Sequence, residues 1–258
     1  MQQFHPHPYQ QAGIEAILEK PGVALWMEMG LGKTVVTLTA IDQLIYDRLE
    51  ISRVLIVAPK KVAEATWQDE AAKWEHLQHL RISTVLGTEK QRCAALVAPA
   101  DIYIINRENI PWLVEYYRNG WPFDMVVIDE SSSFKDQSTK RWKALKRVRP
   151  KIHRIVLLTG TPAPNTLIDL WAQLYLLDEG ARLGRTIGGF RERYFQPDKR
   201  NAERVFTYKP KMGTEQAVQD LIGDICISMK AEDYLTLPEC VSVDVPVVLD
   251  SKAAKAYT

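Results

Sequence analysis

Residues 22–34 read Gly22-Val-Ala-Leu-Trp26, then Met27-Glu28-Met29-Gly30-Leu31-Gly32-Lys33-Thr34. The first part is an apolar run of strand length. From Thr34 to Ile45 apolar residues recur at helical spacing, so a strand, a glycine-bearing loop and a helix follow one another. Gly30 and Gly32 let the loop curl until successive N–H groups point into one concavity. The positive end of the helix adds to that field, a combination that suits a polyphosphate. Lys33 is placed to reach the β- and γ-phosphates and the Thr34 hydroxyl to take a position on Mg²⁺. The strict pattern has Gly where Met27 stands. Met29, Gly30, Leu31, Gly32, Lys33 and Thr34 are therefore the candidate nucleotide-binding residues.

Outward from this loop the same grammar repeats. Pro8 to Leu18 reads as an amphipathic helix ended near Pro21-Gly22. Arg53–Ala58 is an apolar strand stopped by Pro59 and followed by Lys60, Lys61 and a helix from Val62 to about Trp74. Further strands are expected at Ile82–Leu86, Ile102–Ile105, Phe123–Ile128 and Ile152–Leu158, with helices at Lys90–Val97 and toward Tyr117. Short apolar runs alternating with helical patterns predict an α/β fold, a mostly parallel sheet covered on both faces. Ligands gather at the carboxyl ends of such strands. The phosphate loop, Pro59-Lys60-Lys61, Asp129-Glu130 and Thr159-Gly160-Thr161 all fall directly after strands. Beyond Asp178 the pattern loosens, with regular spacing returning over Thr214–Ile225 and one more strand expected at Val241–Leu249. The reading divides the chain into a nucleotide-binding part, 1–178, and an irregular or helical extension, 179–258.

The chain has 258 residues, a net charge of +1 and 46% apolar residues, which describes an ordinary globular protein. No apolar run approaches the roughly 18 residues of a membrane span. The start lacks the charged-then-apolar order of a signal peptide, so a cytoplasmic setting is expected. The three cysteines fit neither a zinc pattern nor a disulfide framework.

Asp129-Glu130, at the end of a buried run, is the second chemical element. A carboxylate at a neighbouring strand end completes the metal shell, usually through water; Asp129 suits that task. Glu130 is then placed to orient or deprotonate an attacking water, while Lys33 and Mg²⁺ stabilise the transferring phosphoryl group.

The order of Gln10, Met29–Thr34, Asp129-Glu130-Ser131-Ser132 and Leu158-Thr-Gly-Thr-Pro162 resembles helicase superfamily two, and within it the Swi/Snf-type ATPases. That branch is selected by Glu28-Met-Gly-Leu-Gly-Lys-Thr34 and by Leu55–Pro59 followed by Trp67-Gln-Asp-Glu70. Leu158–Asn165 with Asp169-Leu-Trp171, and Leu237-Pro238, add to it. The resemblance implies a RecA-like fold and an ATP-driven motor on nucleic acid, most simply a double-stranded DNA translocase or remodeller. A strand-separating helicase and a nucleotide-binding interaction module are the alternatives. It also implies that Gln10 contacts adenine and that Thr159, Gly160 and Thr161 couple nucleotide state to nucleic-acid contacts. Pro59, Lys60 and Lys61 match a loop that touches the nucleic-acid backbone, with Asn106 and Arg107 near another. Two departures from the family stand out. Met27 replaces an Asp, and Ser131-Ser132 replaces Ala or Gly followed by His. The second departure bears on the usual wiring between hydrolysis and coupling and leaves the metal and water chemistry in place. Family members place ATP between two lobes, the second supplying an arginine finger. This chain stops about where that lobe is expected, so weak or no turnover is expected of it alone. The short spacing between motifs suits a phage or bacterial relative working on bare DNA.

Two basic stretches are candidates for phosphate contact, Lys135–Lys151 and Arg182–Lys211, the latter with Tyr194, Phe195, Phe206 and Tyr208 among its charges. Ser138 is the expected cap of a helix in the first.

Overall fold

The computed structural model describes residues 2–199 and 207–234. Seven parallel strands form one sheet: β1 (Gly22–Met27), β2 (Val54–Ala58), β3 (Ile82–Val85), β4 (Ile102–Asn106), β5 (Met125–Asp129), β6 (Arg154–Thr159) and β9 (Cys226–Met229). Their order is β3-β4-β2-β5-β6-β1-β9. A short antiparallel pair, β7 (Phe195–Pro197) and β8 (Tyr208–Pro210), lies apart from it.

The apolar runs are continuous because the sheet is buried on both faces. In β2, Leu55 and Val57 enter one core while Val54, Ile56 and Ala58 enter the other. The second core is roofed by α1 (Pro8–Glu19), α2 (Lys33–Asp42) and α3 (Trp67–Lys73), through Ile14, Leu38 and Trp67. The first is roofed by α4 (Glu89–Val97), α5 (Ile110–Tyr117), α6 (Lys140–Val148), α7 (Asp169–Asp178), α8 (Ile187–Tyr194) and α9 (Thr214–Ile222), through side chains such as Leu113, Trp142, Trp171 and Phe190.

Each strand expected from the sequence within the described residues forms, with ends shifted by a residue or two. The expected strand Val241–Leu249, together with Leu237-Pro238, Phe206 and Cys240, lies outside the described residues. Strand β9 was not anticipated. Four residues long, it carries no periodic signal, and it exists because β1 offers a free parallel edge that it pairs from Ala24 to Met27. Two wide helical turns, Gln43–Asp47 and Val62–Thr66, extend or precede helices that the spacing renders as continuous. The expected cap at Ser138 is corrected to Thr139. The helix begins at Lys140, Thr139 Oγ1 accepts from the Trp142 N–H, and Ser138 instead donates its N–H to Asp136.

Candidate nucleotide site

The carboxyl ends of β1, β6 and β5 are neighbours, so the residues that follow them converge. β1 runs into the phosphate loop, β6 ends at Thr159 and β5 ends at Asp129. Gly30 and Gly32 both have left-handed backbones, φ +85° and +82°, a region that glycine enters without steric cost. A Cβ on Gly30 would meet nothing, whereas one on Gly32 would stand 2.6 Å from Gln10 Nε2. Gly32 is thus required twice, for its turn and for the approach of Gln10. The loop ends at the N-terminus of α2, whose first residue is Lys33. Met29 is almost wholly exposed, while Leu31 turns its side chain into the core and takes part through its carbonyl.

Lys33 Nζ donates to the carbonyls of Met27 at 2.7 Å and Glu28 at 3.1 Å. Burial pulls the Lys33 ammonium below its ordinary pKa, against the opposing charges of Asp129, Glu130 and Glu28. Burial likewise pushes the Asp129 carboxyl up, opposed by a hydrogen bond from Trp67 and by Lys33, and reinforced by Glu130. The site therefore holds charges that each lack solvent, and an anionic ligand with a cation relieves both. Thr34 and Asp129 are hard oxygen donors on the same cleft wall. Among the described residues no cluster of three or more His, Cys, Asp or Glu could hold a metal alone. A Mg²⁺ held by Thr34 and Asp129 would need phosphate oxygens and water to complete its shell, in keeping with that ion's habit of keeping its waters.

The open cleft has a volume of about 1280 Å³. Its phosphate end is walled by Lys33, Thr34, Asp129, Glu130, Gly160 and Thr161. The other end reaches Phe4, His7, Gln10 and Trp74. Gln10 is buried and spans two elements: its Oε1 accepts from the His7 N–H at 3.0 Å and its Nε2 donates to Leu31 O at 3.2 Å. The N-terminus of α1 is thereby fastened to the phosphate loop. Phe4 and Trp74 meet edge to face, centroids 5.1 Å apart, and give this end an aromatic wall.

Sequence reasoning missed four contributors. Trp67, on α3, donates from its indole to Asp129 Oδ2 at 3.2 Å; its signal was the Trp-Gln-Asp-Glu stretch, which carried no role. Ser132 donates to Glu130 Oε1 at 2.5 Å. Phe4 and Trp74 had no signal beyond being aromatic.

The residues assigned to nucleic acid lie elsewhere. Pro59 follows β2 and Asn106 ends β4, strands that are adjacent and paired at Ala58 and Asn106. Both loops are therefore side by side on the carboxyl edge and outside the cleft lining, the one after β2 being next to β5. Lys60 and Lys61 are exposed. Asn106 is buried, donating to Glu108 and accepting from Asn109, and Arg107 pairs with Glu108. On α6, Lys140, Lys143, Lys146 and Arg147 face solvent. In the second basic stretch Tyr194 and Phe195 are core residues packed with Phe190.

A family model described as SNF2-related domain matches residues 9–258. Protein p41 of Acyrthosiphon pisum secondary endosymbiont phage 1 is 36% identical over 263 residues, an alignment that takes in 100% of this chain and 57% of that protein. Helicase SWR1 of Cryptococcus neoformans is 30% identical over 199 residues, covering 67% of this chain and 14% of its own length. The zebrafish (Danio rerio) DNA repair and recombination protein RAD54-like is 25% identical over 253 residues, 89% of this chain and 34% of its own. A solved Sulfolobus solfataricus SWI2/SNF2 ATPase core in complex with dsDNA superposes with a TM-score of 0.71 at 24% identity, over 90% of this chain and 47% of that one. That match establishes the shared fold. The chain thus spans little more than half of the phage relative and less of the others.

Proposed function

This chain belongs to the SNF2-related domain family, and from that premise we propose that it is the ATP-binding lobe of a motor that moves along double-stranded DNA without having to separate its strands. The observation that supports this most directly is the convergence of Lys33, Thr34, Asp129 and Glu130 on one cleft that also takes in Gln10. The phosphate-loop amides and Lys33 bind and orient the polyphosphate, Lys33 exchanging its two carbonyl partners for phosphate oxygens. Thr34 and Asp129 would hold Mg²⁺, which would neutralise charge on the phosphates. Glu130 orients the attacking water and accepts its proton. Gln10 and the Phe4–Trp74 wall receive the base.

Thr159, Gly160 and Thr161 adjoin both the cleft and Glu130, a position suited to coupling. Lys60, Lys61 and Arg107, on the same edge, are the proposed backbone contacts, joined by the exposed face of α6. These 258 residues span about half of the phage relative and of the SWI2/SNF2 core; on this reading a second lobe completes the active site, and they are expected to turn over slowly or not at all on their own.

The test is ATP hydrolysis by the full-length protein at low salt, with no nucleic acid, single-stranded DNA, duplex DNA or RNA. Stimulation chiefly by duplex supports the translocase reading. Stimulation by single strands or RNA, accompanied by strand displacement, replaces it with a helicase. Glu130→Gln is expected to abolish hydrolysis while nucleotide stays bound. Hydrolysis equal to wild type in that variant removes Glu130 from the mechanism.

A further inference from the structure

We propose that Ser132 is a positioning residue for Glu130, holding its carboxylate jointly with Thr159 so that one oxygen alone is presented to the attacking water. The inference rests on the ATPase reading and adds to it a residue that the family pattern does not supply.

The geometry starts at the backbone. Glu130 has φ 56° and ψ 60°, a left-handed conformation that a residue with a Cβ rarely adopts. It lies between the end of β5 and the short turn Ser131–Phe134. This fixes the direction in which the side chain leaves the sheet edge, but not the rotation of its carboxylate. Two hydroxyls fix that. Ser132 Oγ donates to Oε1 at 2.5 Å and Thr159 Oγ1 donates to the same oxygen at 2.8 Å. Each hydroxyl has one proton, and each spends it here. Among the described residues Oε2 receives no hydrogen bond, so it is the oxygen left for water.

The hold reaches further on the β6 side. Thr159 is wholly buried, and its Oγ1 accepts from the Thr161 N–H at 3.1 Å. The carboxylate is thus joined through one side chain to the backbone of the loop after β6. The adjacent serine serves the same loop from beneath. Ser131 is buried, donates to Gln173 Oε1 at 2.8 Å, and Gln173 Nε2 donates to Pro162 O at 2.7 Å. Glu130 through Thr159, and Ser131 through Gln173, are therefore tied to residues 159–162 by separate routes. A displacement of that loop has to move Glu130.

The experiment compares full-length wild type with Ser132→Ala, Ser132→Thr and Glu130→Gln. Three readouts are taken: ATP turnover, affinity for MgADP, and affinity for MgADP with fluoroaluminate, which mimics the in-line geometry with its water. Ser132→Ala is expected to keep the MgADP affinity and KM while losing about tenfold in kcat and in fluoroaluminate affinity, since small misplacements of a catalytic group can cost up to about 10²-fold. Ser132→Thr, which keeps the hydroxyl, is expected to restore both. Wild-type kcat or fluoroaluminate affinity in Ser132→Ala overturns the proposal, as does a raised kcat, which means that the hydroxyl restrains Glu130 rather than aims it. Failure of Ser132→Thr to recover overturns it too. Thr159→Val against Thr159→Ser repeats the comparison from the other donor should Ser132→Ala not fold. If Glu130→Gln hydrolyses like wild type, the ATPase reading has failed instead, a different result from an unaffected Ser132→Ala beside a dead Glu130→Gln.

Discussion

The indole of Trp67 donates to Asp129 Oδ2 across 3.2 Å, joining the first turn of α3 to the carboxyl end of β5. Trp67 is completely buried, and Asp129 at the other end of the bond lines the cleft. The bond occupies one of the carboxylate oxygens.

Replacing Trp67 by Phe keeps most of the ring and removes the donor. The loss of a buried bond to a charged group is worth about 1.5–3 kcal/mol, part of it in the Mg²⁺-dependent affinity for nucleotide. We expect that affinity to fall about tenfold, with the Mg²⁺-free affinity little changed. Titration of a fluorescent nucleotide with and without Mg²⁺ checks this, and an equal loss in both conditions points to general disruption.

Asp129 predicts a conflict between stability and function. Burial raises its pKa in the folded lobe above the ordinary value of 3.8. The folded state therefore holds this proton more tightly than the unfolded chain. The associated stability is present at pH below the unfolded value and is lost as pH rises through the folded one, so at neutral pH the ionised group is a net cost. Asp129→Asn removes the charge while its amide oxygen can still accept from Trp67. The variant is expected to melt a few degrees higher at pH 7, taking about 2–4 °C per kcal/mol for a domain of this size. The advantage should shrink toward pH 4, and Mg²⁺-dependent nucleotide binding should be lost. Melting curves across pH settle it; an advantage that grows toward acid contradicts the assignment.

The two loop glycines should not be equivalent. Gly30→Ala meets only the left-handed backbone cost of about 1 kcal/mol. Gly32→Ala meets the same cost and also drives a methyl to 2.6 Å from Gln10 Nε2. Denaturant melts should rank Gly32→Ala below Gly30→Ala, and nucleotide affinity should follow that order.

Arg154, at the start of β6, closes the C-terminal end of α1. Its Nη1 donates to the carbonyls of Ile17 and Lys20, and its Nη2 to Leu18 O and Glu50. These are carbonyls that a helix end leaves without partners. Arg154→Met should cost roughly 2 kcal/mol or more. Hydrogen exchange should quicken over 14–20, and nucleotide binding should weaken in turn because α1 carries Gln10. Unchanged exchange there argues against the closure.

Lys60 and Lys61 stand exposed after β2 on the edge that carries the acidic pair. If each neutralises one phosphate, Lys60→Ala and Lys61→Ala should each lower the slope of log affinity for duplex DNA against log salt by about 0.9. An unchanged slope places the DNA elsewhere, with the exposed cations of α6 as the next surface to neutralise.

The sequence alone determined the phosphate loop, the acidic pair and all of the main sheet except β9. Those features are set over a few residues: glycine's access to positive φ, the apolar content of strands buried on both faces, and the polarity of the loops between them. Lys33, Asp129 and Glu130 stood out as candidates because they sit at strand and helix ends whose geometry is local, whereas Gln10 was singled out only by resemblance, its own residue type on a helix reading as surface although it is buried. Tertiary structure alone decided which groups hold those residues. Trp67 and Asp129 are 62 positions apart and Thr159 and Glu130 are 29 apart. Trp67 reaches Asp129 because α3 follows β2, which pairs with β5 on one side, and Thr159 reaches Glu130 because β6 pairs with β5 on the other, a strand order that no local pattern encodes. The same holds for β9, which needs the edge of β1, and for Asn106, whose burial follows from partners that its own residue type does not reveal. Side-chain hydrogen bonds require ångström-level proximity across the sheet edge, and only the packing of distant segments supplies it.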